Sequence, residues 1–194
     1  MIIEPTPENV KKVFDTFYEA DLNLCTEFSK KLKVNYAVKN QIIKDYGSIE
    51  KNMNILVTGS TGLFVWDGHD DICISLYYEN SFFCDYLSFL KQKTTVIKSQ
   101  ALEDCMYWSI SFADLQQLYS RSVTGVYIGK IIAEELFIKK QIEQVHLLTL
   151  SPKERYLKLI TERPKILQRT QLKIVASYLG LTAESLSRIR KRIK

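Results

Sequence analysis

Gln171–Lys194, QLKIVASYLGLTAESLSRIRKRIK, decides how the rest of the chain is understood. Ile174, Val175 and Leu179 give a short helix its apolar side, and Gly180 supplies the positive-φ stop that such a helix needs. Thr182 is placed to cap a second helix with Leu186, Ile189 and Ile193 facing inward. Ser185, Ser187, Arg188, Lys191 and Arg192 fall on the outer side, with Arg190 and Lys194 close by. Two short helices joined at a glycine, the second basic and hydroxyl-rich, match the requirements of a helix-turn-helix that reads a DNA major groove. The bland alternative is a solvated basic face that complements the helix dipole.

Charge distribution favours the first reading. From Ser151 onward 12 Lys and Arg face 3 Glu, a net +9, whereas the first 150 residues carry a net −4. The overall +5 therefore hides a strongly basic C-terminal module on a mildly acidic body. Such segregation suits a polyanion, because Lys and Arg at phosphates release condensed counterions. A membrane surface would also attract it, but no long apolar stripe or lipidation signal accompanies the charge.

Working back toward the N-terminus, Ser151-Pro152-Lys153-Glu154 marks a helix start, with a hydroxyl cap, a first-turn proline and a third-position acid. The stretch Ser122–Leu148 lacks proline and places Ile128, Ile131, Glu135, Ile138, Ile142 and Val145 at alternating spacings of three and four. That pattern is an a/d seam for a homodimeric coiled coil, with Ile132 and Leu136 able to pack on the body of the same subunit. Glu135 interrupts the seam, either fixing register or tilting into water. Between Lys33 and about Ser109 the period shortens to that of strands: Lys33–Val38, Met53–Val57, Leu63–Trp66, Ile72–Tyr78, Thr94–Ser99 and Cys105–Ile110. Turn signals at Gly59-Ser60-Thr61-Gly62 and Asp67-Gly68 separate them, which suggests a small antiparallel barrel. Pro7–Lys31 reads as an amphipathic helical stretch, and Ser111 as the cap of a short helix reaching Tyr119.

Composition narrows the chemistry. Cys25, Cys73, Cys84 and Cys105 lack C-x-x-C spacing, and His69 and His146 are isolated, so neither a metal site nor a cofactor is expected. Asp67, Asp70 and Asp71 read as a solvated loop, and no serine has a partner base, so an enzyme is not expected. The N-terminus MIIEPTPENV lacks a secretory pattern and no apolar run spans a bilayer, which gives a cytoplasmic expectation with reduced thiols.

This order of parts, with the phrases NSFFCDYLSFL (Asn80–Leu90), ALEDCMYWSIS (Ala101–Ser111), LSPKERYLKLITERP (Leu150–Pro164) and VASYLGLTAESLSRIRK (Val175–Lys191), resembles the Crp/Fnr family of transcription regulators, in particular a short branch of Bacteroidetes-type bacteria. The resemblance implies an α+β chain: a cyclic-nucleotide-binding-like β-roll sensor over 1–121, a dimerisation helix over 122–148, and a DNA-binding helix-turn-helix over 149–194 that lacks the family's wing. It implies a homodimer on a palindromic operator in double-stranded DNA, with RNA polymerase as a further partner. Glu184 and Arg188 fall at the family's base-reading positions, and their chemistry fits cytosine N4 and guanine O6/N7. Thr182, Ser185, Ser187, Lys191 and Arg192 complete the expected DNA-binding set, while Ala183 replaces an arginine of the family pattern.

The implied effector pocket, Phe83, Cys84, Asp85, Tyr86 and Thr95, departs from the nucleotide-binding pattern. Cys84 stands at a glycine position, Asp85 shortens the acid, and Thr95 falls near the phosphate-binding arginine. Lys91, Lys93 and Lys98 lie nearby, but a lysine lacks the arginine fork. High-affinity cyclic AMP binding is not expected, which leaves the effector unknown. The alternative function is a signalling module that senses a small molecule or nucleotide without specific DNA binding.

Overall fold

The computed structural model describes residues 3–193, apart from the side chain of Ile128. The chain opens with α1 (Pro7–Phe14) and α2 (Leu22–Ser29). The single N-terminal helical stretch expected from the sequence is thus two helices. Asp15 ends the first by accepting the Ala20 N–H at 2.9 Å, and Asp21 starts the second by accepting the Asn23 N–H at 2.7 Å. Phe14 and Phe28 then meet edge to face at 5.0 Å.

Eight strands follow: β1 (Lys33–Ala37), β2 (Ile42–Lys44), β3 (Asn52–Thr58), β4 (Thr61–Trp66), β5 (Asp71–Tyr77), β6 (Phe82–Phe83), β7 (Ile97–Ala101) and β8 (Cys105–Ser111). They form two antiparallel four-stranded sheets, ordered β1-β8-β3-β6 and β2-β7-β4-β5. Ala37, Leu56, Leu63, Tyr77, Phe83, Ala101 and Cys105 fill the space between the sheets. The Gly59–Gly62 segment is a corner that carries the chain from one sheet to the other, with Thr61 and Gly62 already inside β4. Gly59 has φ +89°, and a Cβ there would lie 2.5 Å from the Asp104 carbonyl oxygen, so the corner needs glycine. Asp67-Gly68 does join a hairpin, between β4 and β5.

Between β6 and β7 lies a short helix, α3 (Tyr86–Lys91), capped by Asp85. After β8 come α4 (Phe112–Arg121) and α5 (Val123–Thr149), capped by Ser111 and Ser122. α5 runs 27 residues, roughly 40 Å at 1.5 Å per residue. Ile132 packs against the core of α1, α2 and the first sheet. On the other side Ile138 (49% exposed), Ile142 (48%) and Val145 (52%) stand in solvent, with Glu135 exposed and Ile131 half-buried beside them. One edge of the helix is spent on its own roll and the seam edge is not.

The C-terminal module comprises α6 (Pro152–Glu162), α7 (Ile166–Arg169), α8 (Leu172–Tyr178) and α9 (Ala183–Ile193). α6 begins with the expected capping box between Ser151 and Glu154. Its core of Tyr156, Leu159, Ile166, Val175, Ala176, Leu179 and Leu186 continues into Phe64, Cys73 and Leu76 of the second sheet.

Candidate nucleic-acid interface and sensor site

The turn of the helix pair is built from the residues that announced it. Gly180 takes φ +67°, its N–H reaches the Ser177 carbonyl at 2.9 Å, and the Leu181 N–H reaches Ala176 at 2.9 Å. These paired bonds form a Schellman motif that satisfies the end of α8. The Thr182 hydroxyl accepts the Ser185 N–H at 3.2 Å and so starts α9. Leu186 is fully buried and Ile189 packs behind it, which fixes the rotation of α9.

That rotation sends Thr182, Glu184, Arg188, Lys191 and Arg192 into solvent and leaves Ser185 and Ser187 half-buried at the edge. Lys194 lies outside the described residues. The helix's own first-turn N–H and the Thr182 hydroxyl hold the Glu184 carboxyl below its usual pKa, so it is an acceptor at neutral pH. Among the described residues, Arg188, Lys191 and Arg192 join no ion pair. Three other cations of the module are paired. Arg169 binds Glu79 and Glu103, Lys173 binds Asp70, and Lys158 binds Glu162. Arg155 donates to the carbonyls of Leu147, Leu150 and Leu179, joining α5 to the helix pair.

The module is also held to the roll. Arg169 makes paired bonds to Glu79 (2.7 and 2.8 Å), contacts both carboxylate oxygens of Glu103 (2.7 and 3.2 Å) and donates to the Gly59 carbonyl. The Ser177 hydroxyl accepts the Cys73 N–H at 2.8 Å, and the Tyr78 and Thr170 hydroxyls meet at 2.6 Å.

In the β-roll, the five expected pocket residues divide into two groups. Asp85 and Thr95 close on Lys44, whose ammonium donates to Asp85 at 2.8 Å, Thr95 at 3.0 Å and the Ile97 carbonyl at 2.6 Å. The Thr95 hydroxyl also donates to Asp85. Lys44 and Asp85 side chains are 4% and 0% exposed. Glu50 is buried alongside, its carboxyl pushed upward by burial and accepting the Asn52 and Asp85 N–H groups. Lys44 was missed by the sequence reading, and Lys91 and Lys93 remain exposed. Lys98 turns instead to Asp71. Phe83, Cys84 and Tyr86 face another space, a cavity of about 230 Å³ between the roll and α5. Burial drives the Cys84 thiol well above its usual pKa, so it is no ready nucleophile. Asp67 is exposed and accepts the His69 and Asp70 N–H groups, ordering its own turn.

No protein-family model matches the chain, and no curated protein matches it in sequence. Solved structures do match in shape. FixK2 from Bradyrhizobium japonicum superposes with a TM-score of 0.72 at 15% identity, covering 84% of each chain. The c-di-GMP responsive global regulator CLP of Xanthomonas campestris gives 0.68 at 18% identity, covering 89% of this chain and 91% of that one. The Thermus thermophilus catabolite activator protein gives 0.58 at 16% identity, covering 91% and 85%. The chain therefore has the fold of the Crp/Fnr-type regulators that its sequence resembles: a two-sheet β-roll, flanking helices and a C-terminal helical module.

Proposed function

We propose that this chain is a homodimeric, sequence-specific DNA-binding transcription regulator of Crp/Fnr type. The observation that carries the reading is the outer face of α9, where Arg188, Lys191 and Arg192 are exposed and join no ion pair among the described residues. A helix so presented can enter a major groove, with Arg188 forked to a guanine and Glu184 accepting from a cytosine. Thr182, Ser185, Ser187, Lys191 and Arg192 would then serve phosphates or base edges.

The exposed Ile138, Ile142 and Val145 give α5 a surface for a second copy, with Ile131 and Glu135 on the same seam. Ile128 belongs to that proposal by sequence alone. Dimerisation about a twofold axis would set two α9 helices one turn of B-DNA apart, about 34 Å. The fold neighbours support a regulatory role: one is named as a global regulator linked to gene expression and another as a catabolite activator protein. The division of labour follows the parts, with sensing or scaffolding in 1–121, dimerisation in 122–148 and DNA binding in 149–194. No described helix is long and apolar enough to cross a membrane. Work on DNA would place the protein in the cytoplasm, where contact with RNA polymerase belongs to the same proposal.

Binding of the wild type and Arg188→Ala to the preferred duplex tests the reading. The variant should lose roughly 1–3 kcal/mol and relax selectivity at one base pair in each half-site. Equal affinity of both proteins for every duplex would remove Arg188 as a reader. Saturable ligand binding without any preference among duplexes would favour the signalling-module alternative.

A further inference from the structure

The cavity between the roll and α5 has a lopsided chemistry. Tyr77, Phe82 and Phe83 line it from the roll, Leu136 and Phe137 from α5, and its polar margin is made by Lys139 and Lys140. The two lysines differ. Lys140 is engaged by the Ile74 carbonyl, the Ser75 hydroxyl and Glu143 at 2.8 Å. Lys139 has no carboxylate within ion-pair distance among the described residues, and its ammonium lies 5.5 Å from the centre of the Tyr77 ring. Burial, aided by the nearby charges of Arg163 and Lys140 and only partly opposed by Glu143, lowers the Lys139 pKa. A half-buried cation beside an apolar hollow is poorly compensated, and an anion delivered with its own apolar body would relieve both deficits.

We infer that this cavity binds an amphipathic monocarboxylate, its chain or ring among Tyr77, Phe82, Phe83 and Leu136 and its carboxylate on Lys139. One uncommitted ammonium suits a single negative charge. A phosphate dianion would call for the additional donors or the forked guanidinium that the cavity lacks. The position is separate from the Lys44–Asp85–Thr95 cluster, which contributes nothing to the lining. It also adjoins a contact chain between α5 and α8, because Glu143 accepts from Lys140 of α5 and from Tyr178 of α8. A carboxylate at Lys139 changes the charge balance of that chain and biases how α8 sits on the roll. As an effector site it rests on the DNA-binding reading; as a ligand site it does not.

The test is calorimetric titration and thermal shift of the full chain, without DNA, in buffer free of organic acids. Octanoate should bind saturably and at least about tenfold more tightly than 1-octanol, the difference a charge-assisted bond supplies. Lys139→Met should abolish that preference, and Leu136→Trp, which fills the hollow, should abolish binding of both probes. Wild-type protein that binds neither probe saturably, as when a partner's α5 fills the cavity, overturns the inference. So do equal affinities for the two probes, an undiminished preference in Lys139→Met, or octanoate binding that survives Leu136→Trp.

Discussion

Lys44 and Asp85 meet at 2.8 Å inside the roll, where neither side chain has appreciable access to water. The acid expected in the effector pocket is thereby answered from within the chain, by a cation on β2. Breaking such a pair is costly because it strands a buried charge, whereas removing both charges leaves nothing unpaired.

Lys44→Met is therefore expected to lower stability by about 3–5 kcal/mol, and Lys44→Met combined with Asp85→Asn to recover most of that loss. Denaturant unfolding of the three proteins checks it; equal stability of the single and double variants would show that the pair does not carry the cost. Cyclic AMP should leave the wild-type melting temperature unchanged, since a ligand of the native state raises it in proportion to its occupancy. A concentration-dependent rise would mean that the roll still accommodates the nucleotide.

Arg169 is the tie between the helical module and the roll. Its hydrogen bonds hold Glu79 below its usual pKa. For Glu103, burial works upward, and the Arg169 hydrogen bond leads the contributions that bring it down. Both carboxyls are depressed, so their contribution is complete above the ordinary value of 4.5 and disappears as the pH falls through their lower folded values. Arg169→Ala should cost about 1–2 kcal/mol at neutral pH, allowing for solvent screening of partly exposed groups. The gap between wild type and variant should narrow below pH 4.5. A gap that is constant across the acid range would show that the ion pairs contribute little.

Ile142 is half exposed on α5 and packs little within its own subunit. Ile142→Glu should leave the circular dichroism spectrum intact, convert a dimer to a monomer in sedimentation, and weaken DNA binding by removing the second half-site contact. A variant that remains dimeric would move the interface elsewhere.

The parts with local signatures were legible in the sequence. Gly180 and Thr182 define the helix-turn-helix through rules that operate within four residues, and Ser151 and Glu154 likewise define the start of α6. The long α5 follows from its period and lack of proline. What could not be read involves residues brought together from afar. The corner at Gly59–Gly62 has the composition of a hairpin, yet its two strands lie in different sheets, a choice set by packing of β4 against β5 and β7. β2 and β6 have three and two residues, too short for any period. Lys44 lies on one of them, 41 residues from Asp85, so nothing near either residue signals the pair. The N-terminal stretch kept its apolar positions but hid its break, which Asp15 and Asp21 create through backbone bonds.

Selection of bound fragments from a random duplex pool at physiological salt, with the purified full chain, tests DNA reading by paired α9 helices most directly. Enrichment of an inverted repeat with half-sites one helical turn apart, bound less tightly as salt rises, is the expected outcome. A recovered pool no different from the input, held by a protein that sediments as a single subunit, would refute it.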